Sequence, residues 1–540
     1  MILRTFFAAV AVFLLAIGLV LMPLADAQAA KRGGKLIYMI PSKGAKSLDG
    51  HKETSFATVH PTAPFYSLLI QVDPLVPGAK KLKGEIAESW KISADNLTYT
   101  FKIRRGVKFH NGTPMTSRDV LATWNKLVFP PKGVLSARKQ MFSMVKSISA
   151  PDDYTIVFKL KFASPALIWA MAMPFNYIYS ADILEKDMHY YEKNIMGTGP
   201  FKFVEYVPRV RIKGERFKDY FVAGRPYLDA IEGIFASKQS VYVAALESGR
   251  IHSMFRGLPP AAVEDLIRIK GSALTVQRSV WNCALNVTPN SYKKPFDDVR
   301  VRRALSLALD RWGGSGYLSK RAIVKTVGGA VFPGHPLAPS RAQLESLEGY
   351  SRDIKASRAK ARRLLKEAGI PKGFKFTFRN RTTDQPYKVV GIWLLDQWRQ
   401  IGLNVKQEVL PTSKFWDSLR RPKNRMTDAS AYVVSMDFNC QAVVNPTLDV
   451  SKYVSYSGSN YTKIEDTVID DLFDQQLREP DFDKQKALLW KFQQRLTSQA
   501  RTFSTLWWQR AVVHSSKMKN WNITPSHYLN MGLVDVWLDQ

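Results

Sequence analysis

The chain has 540 residues, of which 46% are hydrophobic and 23% are charged, and its 78 Lys and Arg against 46 Asp and Glu give a formal net charge of +32. This composition is typical of globular proteins with a sizeable core, so it excludes a disordered, collagen-like or low-complexity chain. Two cysteines in a chain of this length exclude a disulfide scaffold, a zinc-ribbon array and an iron–sulfur ferredoxin.

Residues 1–29 have the order of a secretory signal peptide. Arg4 is followed by an apolar stretch over 6–24, and the segment ends in small residues at Ala27 and Ala29, which favours cleavage after Ala29. The alternative is an uncleaved anchor, because the apolar run approaches the ~20 residues that span a bilayer. No cysteine lies near the cut, so a lipid anchor is excluded. We expect a soluble mature protein in the periplasm.

The positive charge is interpreted together with this location. A surplus of this size is typical of proteins that bind nucleic acid, an anionic membrane surface or acidic ligands. Exported proteins rarely meet nucleic acid, and the basic residues are spread along the chain, with the densest cluster at 419–426. We therefore expect no nucleic-acid partner and interpret the charge as a surface property, with steering of acidic ligands as the minor alternative.

Strand and helix patterns alternate along the mature chain, which favours an α/β architecture with mixed sheets. The alternation over 97–110 predicts a hairpin or meander with a turn at Arg105-Gly106, and Thr116 with Asp119 predicts a helix start. The other predicted elements are a strand at 35–40, helices at 295–311, 356–369 and 386–402, a strand at 403–410, helices at about 464–477 and 482–499, a strand at 502–514 and an alternating end at 533–539.

The sequence contains no recognisable catalytic signature. It lacks a G-x-S-x-G elbow, a P-loop, a G-x-G-x-x-G after a strand and an H-E-x-x-H pair. Its eight histidines never occur at the i, i+4 spacing of a helical metal pair. We therefore expect a binding protein, with no catalytic residues, no metal site and no cofactor.

Three segments in order resemble one protein family. Residues 85–124, EIAESWKISADNLTYTFKIRRGVKFHNGTPMTSRDVLATW, resemble the hallmark segment of the family 5 extracellular solute-binding proteins, the peptide- and nickel-type binding proteins of ABC importers. GTGPFK at 197–202 and Asn286 followed by PFDDVRVRRAL at 295–305 are similar to two further family patterns. With the GGKLIYMI opening and the VWLD end, the resemblance covers essentially the whole mature chain.

The resemblance implies a two-lobed, hinged clamp of the type II, cluster C-like periplasmic binding proteins. The core of the first lobe is then 30–75 with 200–283 and 507–540, residues 76–199 form an inserted subdomain, and 284–506 form the second lobe. The chain would cross between lobes near Cys283 and Leu506. A cleft between lobes removes the ligand from water and strengthens polar contacts made there, and its closure is the signal that a permease reads.

The same resemblance implies the function. We expect a monomeric periplasmic protein that captures a di- or oligopeptide and delivers it to an ABC permease in the inner membrane. Within this fold, an oligosaccharide, an opine, a nickel chelate or haem are alternative solutes. A secreted hydrolase or a chaperone is the alternative of a different class, and the missing nucleophile–base pair argues against the hydrolase.

The resemblance also implies ligand-binding residues in the second lobe. Asp437, with Asn439 two residues on and Asn-Pro-Thr at 445–447, is similar to the segment whose aspartate pairs with a peptide's α-ammonium, although five intervening residues depart from the pattern. The alternative is that Asp437 caps a turn. Arg381 lies in the loop before Pro386-Tyr387 and is the candidate for the ligand carboxylate, with a surface cation as the alternative.

Further candidates lie in the first lobe and at the crossing. The loop at 47–64 corresponds to the first-lobe wall of relatives, so Thr54, Thr58 and His60 are candidates to line the cleft, and a polar surface loop is the alternative. Trp281 is a candidate aromatic wall, and an ordinary core tryptophan is the alternative.

Finally, the resemblance implies a disulfide between Cys283 and Cys440. An oxidising compartment favours pairing of two otherwise lone cysteines. The bridge would brace the strand that presents Asp437.

Overall fold

The computed structural model describes residues 30–420, 433–457, 460 and 465–539. The predicted signal peptide at 1–29 lies outside the described residues. Within the described ranges, no helix is both long and apolar enough to cross a membrane.

Strands and helices alternate along this part of the chain. The strands β1 to β18 are, in order, Lys35–Ile40, Ile70–Val72, Leu82–Gly84, Ala87–Ile92, Thr98–Ile103, Val145–Asp152, Thr155–Leu160, Phe201–Val207, Arg211–Arg216, Ala230–Phe235, Leu274–Pro289, Val324–Thr326, Lys375–Arg381, Asn404–Leu410, Val433–Cys440, Phe503–Ser515, Met518–Lys519 and Trp537–Leu538. The α-helices are Phe56–Thr62, Ser117–Val128, Ala166–Met171, Ala181–Lys186, Gln239–Glu247, Pro260–Lys270, Val299–Leu307, Arg311–Leu318, Arg341–Ser346, Ile354–Glu367, Val389–Arg399, Thr412–Arg420, Pro446–Val450, Thr467–Arg478 and Phe482–Gln499.

The predicted hairpin over 97–110 is wrong in its second half. Strand β5 lies inside a four-stranded sheet of order β4-β5-β7-β6, where β4 and β7 occupy both of its edges. The apolar residues beyond Gly106 therefore have no free strand edge to pair with, and only a single bridge joins Lys108 to Pro114. Alternation alone does not identify the partner strand.

The predicted helix start at Thr116 is confirmed. The Thr116 side chain accepts a hydrogen bond at the first turn and the Asp119 carboxylate accepts one from the Thr116 amide, which is a capping box. The helix predicted over 295–311 begins later, at Val299, because Asp298 caps it, and it ends at Leu307.

The six-stranded sheet is connected to one of the two four-stranded sheets. One sheet has the order β1-β10-β9-β8 and the other the order β12-β16-β11-β15-β13-β14. Strands β11 and β16 pair antiparallel, with register shifts between Trp281 and Asn286. Bridges from Ser253 to both Tyr38 and His514 connect the two sheets. The predicted crossing points, Cys283 and Leu506, both lie in the β11–β16 pair, and the lobe boundaries themselves stay a prediction.

Strands β13 and β15 run parallel and end at the same edge of the six-stranded sheet. Arg381 is the last residue of β13, and Cys440 is the last residue of β15. Cys440 lies opposite Cys283 of β11 in the antiparallel ladder, and a disulfide joins the two. This bridge is the one that the resemblance implied. The carboxyl end of β15 therefore lies beside Cys283 of β11, the predicted crossing point between the lobes.

Two of the hallmark segments pack against each other. The His110 amide donates to the Gly197 carbonyl at 2.9 Å, and its imidazole Nε2 bonds the Gly199 carbonyl at 3.0 Å. A Cβ atom on Gly199 would lie 2.4 Å from the backbone nitrogen of Tyr66, so only glycine fits there. This contact fixes the backbone that follows the helix Phe56–Thr62.

Removing the disulfide should destabilise the protein without changing its fold. The two cysteines are 157 residues apart, and a bridge that closes so long a loop restricts the unfolded chain. We expect Cys283→Ser combined with Cys440→Ser to lower the free energy of unfolding by about 2–4 kcal/mol, measured by urea denaturation. Wild-type protein treated with reductant is the control. An unchanged denaturation midpoint in both samples would contradict the prediction.

Candidate ligand-binding site

The two predicted lobes are in direct contact. The helix Pro446–Val450 of the second lobe packs against the helix Ala166–Met171 of the inserted subdomain, and their buried side chains share one hydrophobic cluster. Nearby, the Arg478 guanidinium lies 4.4 Å from the ring centroid of Phe162. These contacts join the two predicted lobes, and we call the region between them the lobe junction.

Aromatic side chains surround Arg256 at this junction. Its Cζ atom lies 4.9 Å from the ring centroid of Phe56, 5.3 Å from that of Trp281 and 6.0 Å from that of Trp508. Phe56 begins the helix Phe56–Thr62 of the predicted first lobe, whereas Trp281 and Trp508 lie on β11 and β16. Burial lowers the pKa of the Arg256 guanidinium, and the positive charge of Arg381 lowers it further. We call Phe56, Arg256, Trp281, Trp508 and His527 the junction cluster.

The backbone around Arg256 is held tightly against β16. Gly257 has a φ of 129°, and a Cβ there would lie 3.3 Å from the Ala511 carbonyl oxygen, which favours glycine. The Leu258 amide donates to that same oxygen at 2.8 Å. The Arg510 guanidinium donates to the Arg256 carbonyl at 3.0 Å. These contacts direct the Arg256 side chain into the aromatic surroundings.

Two buried histidines belong to the same region. Trp281 Nε1 donates to His527 Nδ1 at 2.9 Å, and His60 Nε2 donates to the His527 carbonyl oxygen at 2.8 Å. Burial lowers the pKa of His527 well below its usual range and that of His60 to about 3. Both rings are therefore neutral, and the His527 proton resides on Nε2. The structure thus brings the predicted residues His60 and Trp281 to the junction cluster.

The two threonines predicted in the loop at 47–64 differ in their burial and in their contacts. Thr58 is buried, and its hydroxyl donates to the Ser47 carbonyl at 2.9 Å. Thr54 is exposed, and its carbonyl oxygen accepts a 3.4 Å hydrogen bond from the Tyr528 hydroxyl. These contacts shape the loop, and a direct contact of either side chain with ligand stays a prediction.

Arg381 is the last residue of β13, and its guanidinium group lies against two aromatic rings. Its Cζ atom is 3.9 Å from the ring centroid of Tyr387 and 5.4 Å from that of Phe438. The rings of Tyr387 and Phe438 lie 6.2 Å and 6.4 Å from that of Trp508, which Arg256 also approaches, so the two guanidinium groups flank one aromatic group. The structure therefore brings Arg381, predicted from the loop before Pro386, to the same junction.

Asp437 already has a cation of its own. The carboxylate is fully buried and accepts hydrogen bonds from the Lys452 ammonium and, at 2.6 Å, from the Phe438 amide. Lys452 is also buried and donates to the Phe438 carbonyl at 2.6 Å. Burial lowers the pKa of Lys452, and the charge of Asp437 opposes that change. The cation that the sequence led us to expect from a ligand is supplied here by the chain.

Asn439 supports the neighbouring helix. Its side-chain amide donates to the Asp449 carbonyl at 2.6 Å and its oxygen accepts a hydrogen bond from Gln441 Nε2 at 2.9 Å. Asp449 lies in the helix Pro446–Val450, which contacts the first lobe. Asn439 thus links β15 to an interlobe contact, and its own contact with ligand stays a prediction.

Phe56, Arg256, Trp508 and His527 were not predicted from the sequence. These residues are far apart in the chain and come together only in the folded protein. The one local sequence feature that marks this region is the segment Gly257-Leu258-Pro259-Pro260, which follows Arg256 directly. Within the described ranges, no group of three His, Cys, Asp or Glu side chains is placed to hold a metal ion.

The buried state of His60 predicts an acid sensitivity. A histidine whose pKa falls from 6.5 to about 3 on folding stabilises the protein fully above pH 6.5, and this stability is lost as the pH falls towards 3. As the pH falls from 6.5 towards 3, we expect the unfolding free energy of wild type to decrease more steeply than that of His60→Gln. The difference between the two slopes should reach up to ~1.4 kcal/mol per pH unit. Urea denaturation at several pH values measures both slopes, and parallel curves would contradict the prediction.

The comparisons with known proteins establish the family. The model of the bacterial extracellular solute-binding proteins, family 5 Middle, matches residues 81–439. The chain therefore belongs to this family of solute-binding proteins. The glutathione-binding protein GsiB of Pectobacterium atrosepticum is 30% identical over 335 residues, which are 60% of this chain and 60% of that protein.

Solved structures show the fold. The periplasmic binding protein DppA from Helicobacter pylori, in complex with the peptide STSA, has a TM-score of 0.79 at 24% identity, covering 94% of this chain and 99% of that one. The binding protein AgaA from A. tumefaciens R10, in complex with agropinic acid, has a TM-score of 0.77 at 22% identity with the same coverage of the two chains. The fold is that of the α/β periplasmic binding proteins of the cluster C type, as the resemblance implied.

Proposed function

We propose that the protein is the periplasmic receptor of an ABC importer and that it captures a di- or oligopeptide between its two lobes. The observation that supports this proposal is that Arg256 and Arg381, which the predicted bounds assign to opposite lobes, flank the same group of aromatic side chains. Guanidinium groups bind carboxylates through paired hydrogen bonds, and aromatic walls hold the apolar part of a solute. A cleft lined by these residues suits a small solute with a free carboxylate.

The relatives favour a peptide as that solute. GsiB is named for glutathione, and DppA was solved with the peptide STSA. In this proposal, Arg381 binds the C-terminal carboxylate of the peptide. AgaA holds agropinic acid, so an opine is the alternative that shares the carboxylate. A neutral oligosaccharide has no carboxylate to pair with the two guanidinium ions, and none of the three relatives named above is named for or solved with haem or a nickel chelate.

A binding partner for the α-ammonium of the peptide is less well supported than one for its carboxylate. Asp437 was its expected anchor, and a ligand ammonium could reach this carboxylate only by displacing Lys452 from a buried ion pair. Breaking such a pair is costly because it leaves a buried charge without a partner. We therefore assign the recognition of peptides mainly to their carboxylate end.

The remaining parts of the proposal concern location and partners. After removal of residues 1–29, the mature protein works in the periplasm as a monomer. Closure of the lobes around the peptide forms the surface that the permease in the inner membrane reads. The chain binds its solute without transforming it.

Affinity selection tests this function. Protein freed of bound solute by unfolding and refolding is incubated with a defined library of di- and tripeptides, and the retained members are identified by mass spectrometry. A library of the same peptides as C-terminal amides is the matched control. We expect intact free-acid peptides to be retained and the amides to be lost. Retention of neither library, or cleavage of peptides by highly purified protein, would contradict the proposed function.

A further inference from the structure

We propose that Arg256 binds an anionic group of the solute, so that the site takes carboxylate-bearing solutes through a contact separate from that of Arg381. This inference rests on the proposed function, because it identifies the class of solute that the same cleft takes. Three observations about the junction cluster carry it: the unmatched donors of Arg256, the donors beside it and the local charge.

Arg256 differs from other enclosed arginines of this chain. Arg138, Arg302, Arg311 and Arg510 are almost fully buried, and each guanidinium donates to backbone carbonyl oxygens. Such acceptors are the usual way to accommodate a buried cation. The Arg256 guanidinium has no hydrogen-bond acceptor or ion-pair partner within 30–420, 433–457, 460 and 465–539, although its Nε atom is buried. A side chain with five donors is thus held in place without an internal acceptor.

Two further donors beside Arg256 also lack an acceptor in the part of the chain that the structure describes. The indole Nε1 of Trp508 is buried without a hydrogen-bond partner. The His527 ring accepts a hydrogen bond at Nδ1, so its Nε2 presents a proton for which the described residues supply no acceptor. Unpaired buried donors are costly. A solute that brings oxygen acceptors satisfies them, whereas one that brings an ammonium group does not.

The charge of the region favours the same class of solute. Arg510 also lies near Trp281, with its Cζ atom 6.0 Å from the ring centroid, and burial together with the charge of Arg256 lowers the pKa of Arg510 to about 9. Arg381 adds a third positive charge. The nearby carboxylate of Asp437 is neutralised by Lys452. Like charges repel strongly where water is excluded, and a bound anion relieves that repulsion.

A small dicarboxylate probes the site without a peptide backbone. Succinate is titrated into solute-free protein and followed by tryptophan fluorescence, because Trp281 and Trp508 flank Arg256, and dimethyl succinate is the matched neutral compound. The variants are Arg256→Gln, which removes the charge, and Arg256→Lys, which keeps the charge and loses the guanidinium fork. Arg268→Gln removes the same charge from an exposed helix position and is the control.

We expect saturable succinate binding in wild type and in Arg268→Gln, and no saturable response to the diester. Arg256→Gln should bind at least about 30-fold more weakly, with Arg256→Lys in between. Circular dichroism verifies that each variant is folded, and if Arg256→Gln is not, Arg256→Lys alone decides by the same comparison. Equal succinate affinity in wild type and the folded Arg256 variant, or no saturable response in wild type, would overturn the inference.

The peptide library separates this inference from the proposed function. If succinate binds through Arg256 and no peptide is retained, the peptide function fails and the anion site stands. If free-acid peptides are retained equally by wild type and the Arg256 variants, the peptide function stands and the inference about Arg256 fails. Loss of free-acid peptides in the Arg256 variants supports both.

Discussion

Replacing Lys452 with methionine is expected to lower the free energy of unfolding by about 3–5 kcal/mol. Lys452 and Asp437 are both buried, with side-chain exposures of 3% and 0%, so the substitution leaves a carboxylate enclosed without its cation. Asp437 then keeps only the Phe438 amide as a hydrogen-bond donor among its described partners. Urea denaturation of wild type and Lys452→Met at neutral pH measures the difference.

The double variant Lys452→Met with Asp437→Asn is the control for this prediction. It removes both charges at once, so we expect it to recover much of the lost stability, because a neutral pair needs no ionic partner. The same variants examine the ligand role first assigned to Asp437. If Lys452→Met is as stable as wild type and binds free-amine peptides more tightly than N-acetylated ones, Asp437 is a ligand anchor and the internal pairing is unimportant.

The second large effect is expected on ligand affinity. Arg381→Gln removes a guanidinium that lies against Tyr387 and Phe438 at the lobe junction. Losing one partner of a desolvated charge pair costs roughly 2–5 kcal/mol, or about 30- to several-thousand-fold in affinity. We therefore expect calorimetry with a retained free-acid peptide to show a loss of this size.

A neighbouring arginine supplies the control. Arg379 lies two residues earlier on β13 and is ion-paired with Glu408 at 2.6 Å, so Arg379→Gln removes the same charge from the same strand. We expect Arg379→Gln to bind the peptide as wild type does. Similar affinities for Arg381→Gln and Arg379→Gln would remove Arg381 from the carboxylate site.

Much of the fold follows from local sequence patterns. The capping residues at Thr116 and Asp119 and the strands at 35–40 and 403–410 are read directly from the sequence, because capping and apolar periodicity depend on neighbours along the chain. The segment after Gly106 was misread as a strand, since its pairing depends on which other strands occupy the edges of β5. The resemblance to a family supplied the long-range order that local patterns do not contain.

Only part of the candidate site could be predicted from local sequence patterns and the family resemblance. The disulfide between Cys283 and Cys440 was predicted because both cysteines lie beside motifs that resemble the family, and Arg381, whose role stays a prediction, was selected in the same way. The partner of Asp437 was not foreseen, because Lys452 lies beyond the five residues that depart from the family pattern. Arg256 was missed because its surroundings come from segments around residues 56, 281, 508 and 527, which meet only in the folded protein.

A crystal structure of the protein with its retained solute tests the central claim most directly. We predict that the solute lies between the lobes with an anionic group hydrogen-bonded to Arg256 or Arg381, and that Lys452 remains paired with Asp437. A solute bound outside the junction, or one whose ammonium has displaced Lys452 from Asp437 while both arginines contact only protein, would contradict the account.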